Sequence, residues 1–193
     1  MTPYDYALLA QEAYSATPDI GKADSASRAI VRQTAGGLVV AFRGSDDLDS
    51  WLHNLDSVPV SVPGMGEVHR GFYMAWSAIA DQVIAAIGDR PVTLVGHSLA
   101  GAIALLAAAS LTLAGKPPAA VFAFEPPRVS FDMTLRVLLT HVPMTLWRNG
   151  GDPVPNLPIG GVHPRPLIHI GKPAGILPVI ADHLLPAVMK NLP

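Results

Sequence analysis

The segment Gly96-His97-Ser98-Leu99-Ala100-Gly101 sets a serine among small residues, between the apolar run Val92–Val95 and a long aliphatic stretch. A serine on a sharp strand-to-helix turn stands clear of the sheet, and small neighbours let the backbone take the strained conformation. A hydroxyl is a weak nucleophile by itself. It needs a base in hydrogen-bond reach, and the base needs a carboxylate to hold its orientation. Ser98 is therefore the candidate nucleophile of an acyl transfer. The helix that starts behind it, at Leu99, turns unpaired N–H groups and its positive dipole end toward developing negative charge.

On an elbow of this kind the acid and then the histidine follow the serine in the chain. The acids after Ser98 are Glu125, Asp132, Asp152 and Asp182. Asp152 lies past the strand-like run Met144–Trp147 in a Gly-Gly turn with proline behind it, which holds a carboxylate at a strand's C-terminal edge. Glu125 also sits just past a strand-like run and is the alternative acid. Three histidines follow Asp152. His169 interrupts the apolar run Leu167–Ile170 and reads as a hydrogen-bonded sheet histidine, while His163 lies in a proline-rich loop that orients it poorly. His183 precedes a short terminal helix, can fold back over the elbow, and is the candidate base. Asp182 beside it reads as a cap of that helix.

The elements that must position these groups alternate between strand and helix. Thr2-Pro3 reads as an N-cap followed by proline at the first helical position, opening a helix to about Tyr14. Arg28–Gln33 and Leu38–Phe42 read as strands around a Gly36-Gly37 hairpin turn. Phe72, Trp76, Ile79, Val83 and Ile87 recur at helical spacing, predicting a helix over 71–87. Strands follow at 92–95, 119–124, 144–147 and 167–170, and a last helix at 179–190 that Pro186 should kink or shorten. The expected fold is a compact α/β domain spanning residues 1–193, its mostly parallel central sheet covered by helices on both faces. Pro153, Pro155, Pro158, Pro164, Pro166, Pro173 and Pro178 break the rhythm and predict an ordered wall beside the site.

Composition removes several classes of function. No cysteine occurs in the 193 residues, which excludes disulfides, thiol catalysis and cysteine-based zinc sites. A formal net charge of −2 gives no basic surface for nucleic acid. No His-Glu-x-x-His pattern and no histidine pair at i, i+4 occur, so no metal is expected; without a phosphate-cradling glycine loop, no cofactor is expected either. Met1–Tyr14 carries Asp5 and Glu12 and lacks the basic start of a secretory signal. The longest apolar run, Leu99 to Ala114, falls short of the roughly 20 residues that span a bilayer and reads as a helix buried on all sides. The expectation is a soluble protein, cytoplasmic or exported without a visible signal peptide.

Six segments in order resemble the class 3 lipases, the fungal-lipase-like branch of the α/β hydrolases. Val39-Val40-Ala41-Phe42-Arg43-Gly44-Ser45 looks like the strand entering the family's oxyanion loop, and His69-Arg70-Gly71-Phe72 like the start of its next helix. The elbow follows, then Phe124-Glu125-Pro126-Pro127-Arg128-Val129, Asn149-Gly150-Gly151-Asp152-Pro153-Val154-Pro155, and Asp182-His183. Three positions depart from the family pattern. Ala100 stands where the second glycine of Gly-x-Ser-x-Gly is usual, Glu125 where glycine is usual, and Leu184 where an aromatic often follows the histidine.

The resemblance implies hydrolysis of lipid-type acyl esters through an acyl-enzyme, with Ser98, Asp152 and His183 as the triad. The backbone N–H groups of Ser45 and Leu99 would form the oxyanion hole, with the Ser45 hydroxyl as a further donor. Ser45 also suits the N-cap of a following helix whose start Asp46, Asp47 and Asp49 would complement. Leu48, Trp51, Leu52, Leu55 and Val58 share one face of that stretch, as in the family's lid or in a helix simply docked on the core. The expected partner is a small-molecule or lipid ester, met in transient contact with a lipid interface. A phospholipase or short-chain esterase with the same triad, or an inactive hydrolase fold used for binding, are the alternatives.

Overall fold

The computed structural model describes residues 1–22, 24–25, 27–44, 58–173 and 180–193. Ser45, the apolar stretch from Leu48 to Ser57, and the end of the proline-rich segment with Val179 lie outside the described residues. The chain opens with α1 (Pro3–Ser15), whose first turn is closed by a reciprocal cap: Thr2 Oγ1 accepts the Asp5 N–H at 3.2 Å and Asp5 Oδ2 accepts the Thr2 N–H at 2.7 Å. Next come β1 (Ile20–Gly21), β2 (Arg28–Thr34), β3 (Gly37–Phe42), β4 (Pro59–Val62) and β5 (Gly66–His69). The chain continues with α2 (Arg70–Ser77), α3 (Ala80–Ile87), β6 (Val92–His97), α4 (Leu99–Leu113), β7 (Ala120–Phe124) and α5 (Thr134–Leu138). It ends with β8 (Met144–Asn149), β9 (Leu167–Ile170) and α6 (Leu185–Asn191).

Seven strands form one sheet in the order β1-β2-β3-β6-β7-β8-β9. β1, β2 and β3 pair antiparallel, and from β3 to β9 every pairing is parallel. Parallel neighbours need crossovers, and these place helices on both faces. The strands alternate accordingly. Leu38, Val40, Phe42, Leu94, Val121 and Leu146 face a core shared with α2, α3, α4 and α5. Val39, Ala41, Val95, Phe124 and Trp147 face a second core shared with α1 and α6. Burying a Leu, Val or Phe side chain contributes about 1.5–3 kcal/mol, so the alternation fixes which face each strand presents.

Helix α4 is buried at every position from Leu99 to Ala109, as expected of an apolar run too short for a membrane. Its small residues let the sheet and α2 approach it closely, and Trp76 Nε1–H donates to Ser110 Oγ at 2.7 Å. Among the described residues no helix is long and apolar enough to cross a membrane.

Several elements differ from the sequence expectation, β1 and α5 among those it did not include. The helix predicted over 71–87 is broken at Ile79, whose backbone (φ −125°, ψ 0°) leaves the helical region. Trp76, Ile79, Val83 and Ile87 all stay buried in the same core, so packing on α4 and the sheet overrides a straight helix. At the C-terminus a 3₁₀ turn over Ile180–His183 precedes α6, and the expected helix is shortened, not kinked, with Pro186 in the first turn of α6. The hairpin of β4 and β5 was not expected, although Val60 and Val62 alternate before a Pro63-Gly64 turn.

Because β6, β7 and β8 run parallel, their C-terminal ends lie on one edge of the sheet. Ser98, Glu125 and Asp152 each follow one of these three strands.

Candidate active site

Ser98 is the pivot between β6 and α4. Its backbone is left-handed (φ 60°, ψ −131°), a conformation that costs a non-glycine residue roughly 1–3 kcal/mol. The elbow is held by the Ser98 N–H donating to the Phe124 carbonyl at 2.9 Å and by the Gly101 N–H donating to the Ser98 carbonyl at 2.8 Å. A Cβ on Gly96 would stand 2.1 Å from the Ala100 carbonyl oxygen, so no other residue fits there. At Gly101 a Cβ would stand 2.9 Å from Pro126 Cβ. The glycine falls one place later than usual because the loop after β7 presses on Gly101, while Ala100 fits fully buried. Leu99 occupies the first helical position, where backbone N–H groups lack acceptors within the helix.

Asp152 and His183 come together although 31 positions separate them. Asp152 Oδ1 accepts the Val154 N–H at 2.9 Å, and Oδ2 accepts His183 Nδ1–H at 2.6 Å. Burial pushes the Asp152 carboxyl up, but the hydrogen bonds from His183 and the neighbouring groups outweigh it and hold the carboxyl below the usual aspartate range. With Nδ1–H committed to a carboxylate, Nε2 of a neutral His183 carries the free lone pair. That atom is buried and has no hydrogen-bond partner among the described residues.

The other two histidines after Asp152 stand elsewhere. His163 Nε2–H donates to the Pro155 carbonyl at 2.8 Å within the proline-rich segment, and His169 is exposed on β9. That segment is ordered where it is described, with a 3₁₀ turn at Val154–Asn156 and a bridge from Val162 to Ser130. Asp182 does not cap α6. Its Oδ2 accepts the Gly151 N–H at 2.8 Å and its carbonyl accepts Asn149 Nδ2–H at 2.9 Å, so it ties the turn carrying Asp152 to the turn carrying His183.

His97, unremarked in the sequence beyond its place in the elbow, joins the same network. Its Nε2 lies 2.8 Å from the His183 carbonyl, which can only accept, so Nε2 bears the proton. Nδ1 then accepts from the Tyr14 hydroxyl at 2.8 Å. A polar residue ending an otherwise apolar strand was the available signal. Burial, aided by the neighbouring His183, pushes the His97 imidazole down to about 3 from its ordinary 6.5. Between those values the unfolded chain binds the proton and the folded chain does not. The stability tied to His97 is therefore complete above about pH 6.5 and is lost as pH falls toward 3. From this residue alone, the unfolding free energy should be about 2 kcal/mol smaller at pH 5 than at pH 7. Urea unfolding at both pH values checks this, and a His97→Gln variant should lose that share of the pH dependence.

Glu125 completes the cluster. It is fully buried, and its backbone is left-handed at φ 51°, which explains why glycine is usual at this position. Its Oε1 accepts the Asn149 N–H. Burial first, and the nearby Asp152 second, push its carboxyl up to about 11. Oxygen and nitrogen atoms of Glu125, Asp152 and His183 lie within 4.8 Å of one another, close enough to suggest a cation site. The 2.6 Å Nδ1–Oδ2 separation instead marks a charge-assisted hydrogen bond, because two ligands of one zinc ion stand roughly 3 Å or more apart. The donor set fits a proton-sharing chain, not a metal cage.

The Lipase (class 3) family profile matches residues 39–161. The secreted mono- and diacylglycerol lipase A of Penicillium cyclopium is 31% identical over 163 residues, covering 78% of this chain and 53% of that protein. A lipase of Rhizomucor miehei is 35% identical over 83 residues, covering 38% of this chain and 23% of that protein. The chain thus spans about half or less of the length of these relatives. Among solved structures, the native Rhizomucor miehei lipase propeptide complex superposes with a TM-score of 0.68 at 25% identity, over 86% of this chain and 66% of that one.

Proposed function

The chain belongs to the class 3 lipase family, and from that premise we propose that it hydrolyses carboxylic esters through an acyl-enzyme, with Ser98 as nucleophile, His183 as base and Asp152 as orienting acid. The observation that carries this reading is the buried Asp152–His183 pair at 2.6 Å, whose free Nε2 belongs to a residue tied through His97 to the strand end that carries Ser98. Ser98 Oγ attacks the ester carbonyl while His183 Nε2 takes its proton, then returns it to the departing alcohol. Water repeats the sequence on the acyl-enzyme. Asp152 keeps His183 in the tautomer that leaves Nε2 free and stabilises the imidazolium that forms. The oxyanion falls to the Leu99 N–H at the start of α4, with Ser45 as the second donor.

One sheet running from Ile20 to Ile170 supports residues 1–193 as a single α/β-hydrolase domain. A fluorophosphonate probe tests the chemistry. It should label wild type at Ser98, and a folded, unlabelled protein would mark an inactive hydrolase fold used for binding.

The substrate class follows from the relatives, which are named for acylglycerol and lipase activity. We place this chain with them as acting on lipid-type acyl esters, in transient contact with a lipid interface. Each methylene buried in an acyl cleft contributes about 0.8 kcal/mol, so three or four more should raise kcat/KM by tens-fold or more. A series of p-nitrophenyl esters should therefore rise from acetyl to at least butyryl or hexanoyl. A steady decline from acetyl upward would instead identify a short-chain esterase.

A further inference from the structure

We propose that Glu125 is a positioning residue for this reaction: a neutral carboxylic acid whose O–H is directed at the Asp152 carboxylate, so that the acid of the triad is a two-carboxyl unit sharing one proton. This rests on the assignment of Asp152 and His183 above. The geometry supports it in three steps. Glu125 and Asp152 are both fully buried, and their oxygens lie within 4.8 Å of each other. Two buried carboxyls that close do not both stay ionised, because each charge disfavours the other. The charge goes to Asp152, which accepts the Val154 N–H at 2.9 Å and His183 Nδ1–H at 2.6 Å. Glu125 accepts one backbone N–H, from Asn149 at Oε1. Its Oε2 is buried and has no hydrogen-bond partner among the described residues, which leaves that oxygen to carry the proton.

The surrounding charges agree with this division. Among the described residues, the titratable and charged groups that face Glu125 are Asp152 after β8, His183 of the 3₁₀ turn and Arg148 on β8. Arg148 and the Asn149 N–H favour the ionised form, yet burial and Asp152 outweigh them and raise the Glu125 carboxyl. Asp152 in turn is drawn down by its bond to His183 and by Glu125. The left-handed backbone at Glu125, strained for any residue but glycine, is the cost of placing a carboxyl at this point. A protonated acid here would hold the Asp152 carboxylate against rotation and spread its charge.

The test reads the proton itself. At pH 8, infrared difference spectra of the full chain with ¹³C-labelled glutamate should show the carbonyl band of a protonated glutamic acid. Glu125→Gln should remove it. Glutamine keeps an acceptor for Asn149 and an N–H donor for Asp152, so this variant should lose less than about threefold in kcat/KM. Glu125→Leu supplies neither group and should lose roughly 10- to 100-fold. Absence of a Glu125-dependent acid band at pH 8 would overturn the proposal, as would a Gln variant no better than the Leu variant. If Leu prevents folding, the band in wild type against Glu125→Gln still decides. Fluorophosphonate labelling separates this from failure of the triad: an unlabelled wild type that retains the acid band would refute the role of Ser98 and leave the proton-sharing pair standing.

Discussion

Replacement of Ser98 by alanine is expected to lower kcat roughly 10⁶-fold while leaving the fold intact. The size of the loss follows from the way a triad works: without the oxygen that attacks, His183 and Asp152 have nothing to activate, and the residual rate is that of an oriented water. The fold should survive because the hydroxyl is not what holds the elbow. The turn is held by backbone bonds to Phe124 and Gly101, and neither uses Ser98 Oγ. Alanine must still take the left-handed backbone at φ 60°, which adds no strain that serine does not already bear. Circular dichroism and a melting curve establish the fold, and single-turnover hydrolysis of a p-nitrophenyl ester measures the loss. A folded Ser98→Ala sample within tenfold of wild type would refute the mechanism.

For the acid, Asp152→Asn should lower kcat roughly 10⁴-fold. Asparagine preserves the shape of the turn and can still accept the Val154 N–H at Oδ1. It offers either an N–H or a neutral oxygen to His183 in place of a carboxylate. An N–H at that position would face a donor, so the imidazole must turn or change tautomer, and the imidazolium formed during attack loses its counter-charge. Glu125→Gln, in contrast, should cost less than threefold. The ratio between the two variants is the discriminating quantity, because both sites are buried carboxyls at the ends of neighbouring strands. If the Glu125 change were the more damaging, the acid of the triad would be Glu125 and the roles of the two carboxyls would reverse.

Much of the architecture was legible in the chain because it rests on local chemistry. The unbroken apolar run Leu38–Phe42 and the short run Val92–Val95, interrupted only by Thr93, declare strands, Thr2-Pro3 declares a helix start, and small residues around Ser98 declare an elbow. Chain order then reduces the candidates for acid and base to a few. The hairpin of β4 and β5 and the break at Ile79 were not legible, since short strands carry little pattern and a helical period says nothing of a bend.

Sequence alone determined the fold class, the family, and the short roster of serine, carboxylates and histidines from which a site could be drawn. These depend on residue type, spacing and order, which a linear chain displays in full. Only the tertiary structure decided which carboxyl meets which imidazole. It paired Asp152 with His183, set His97 between Tyr14 and the His183 carbonyl, and turned Asp182 from a helix cap into a tie between two turns. It also placed Glu125 in the dry space beside Asp152. The physical reason is that charge state and tautomer are properties of an environment. Desolvation and the partners within hydrogen-bond reach set them, and those neighbours come from strands and turns far apart in the chain.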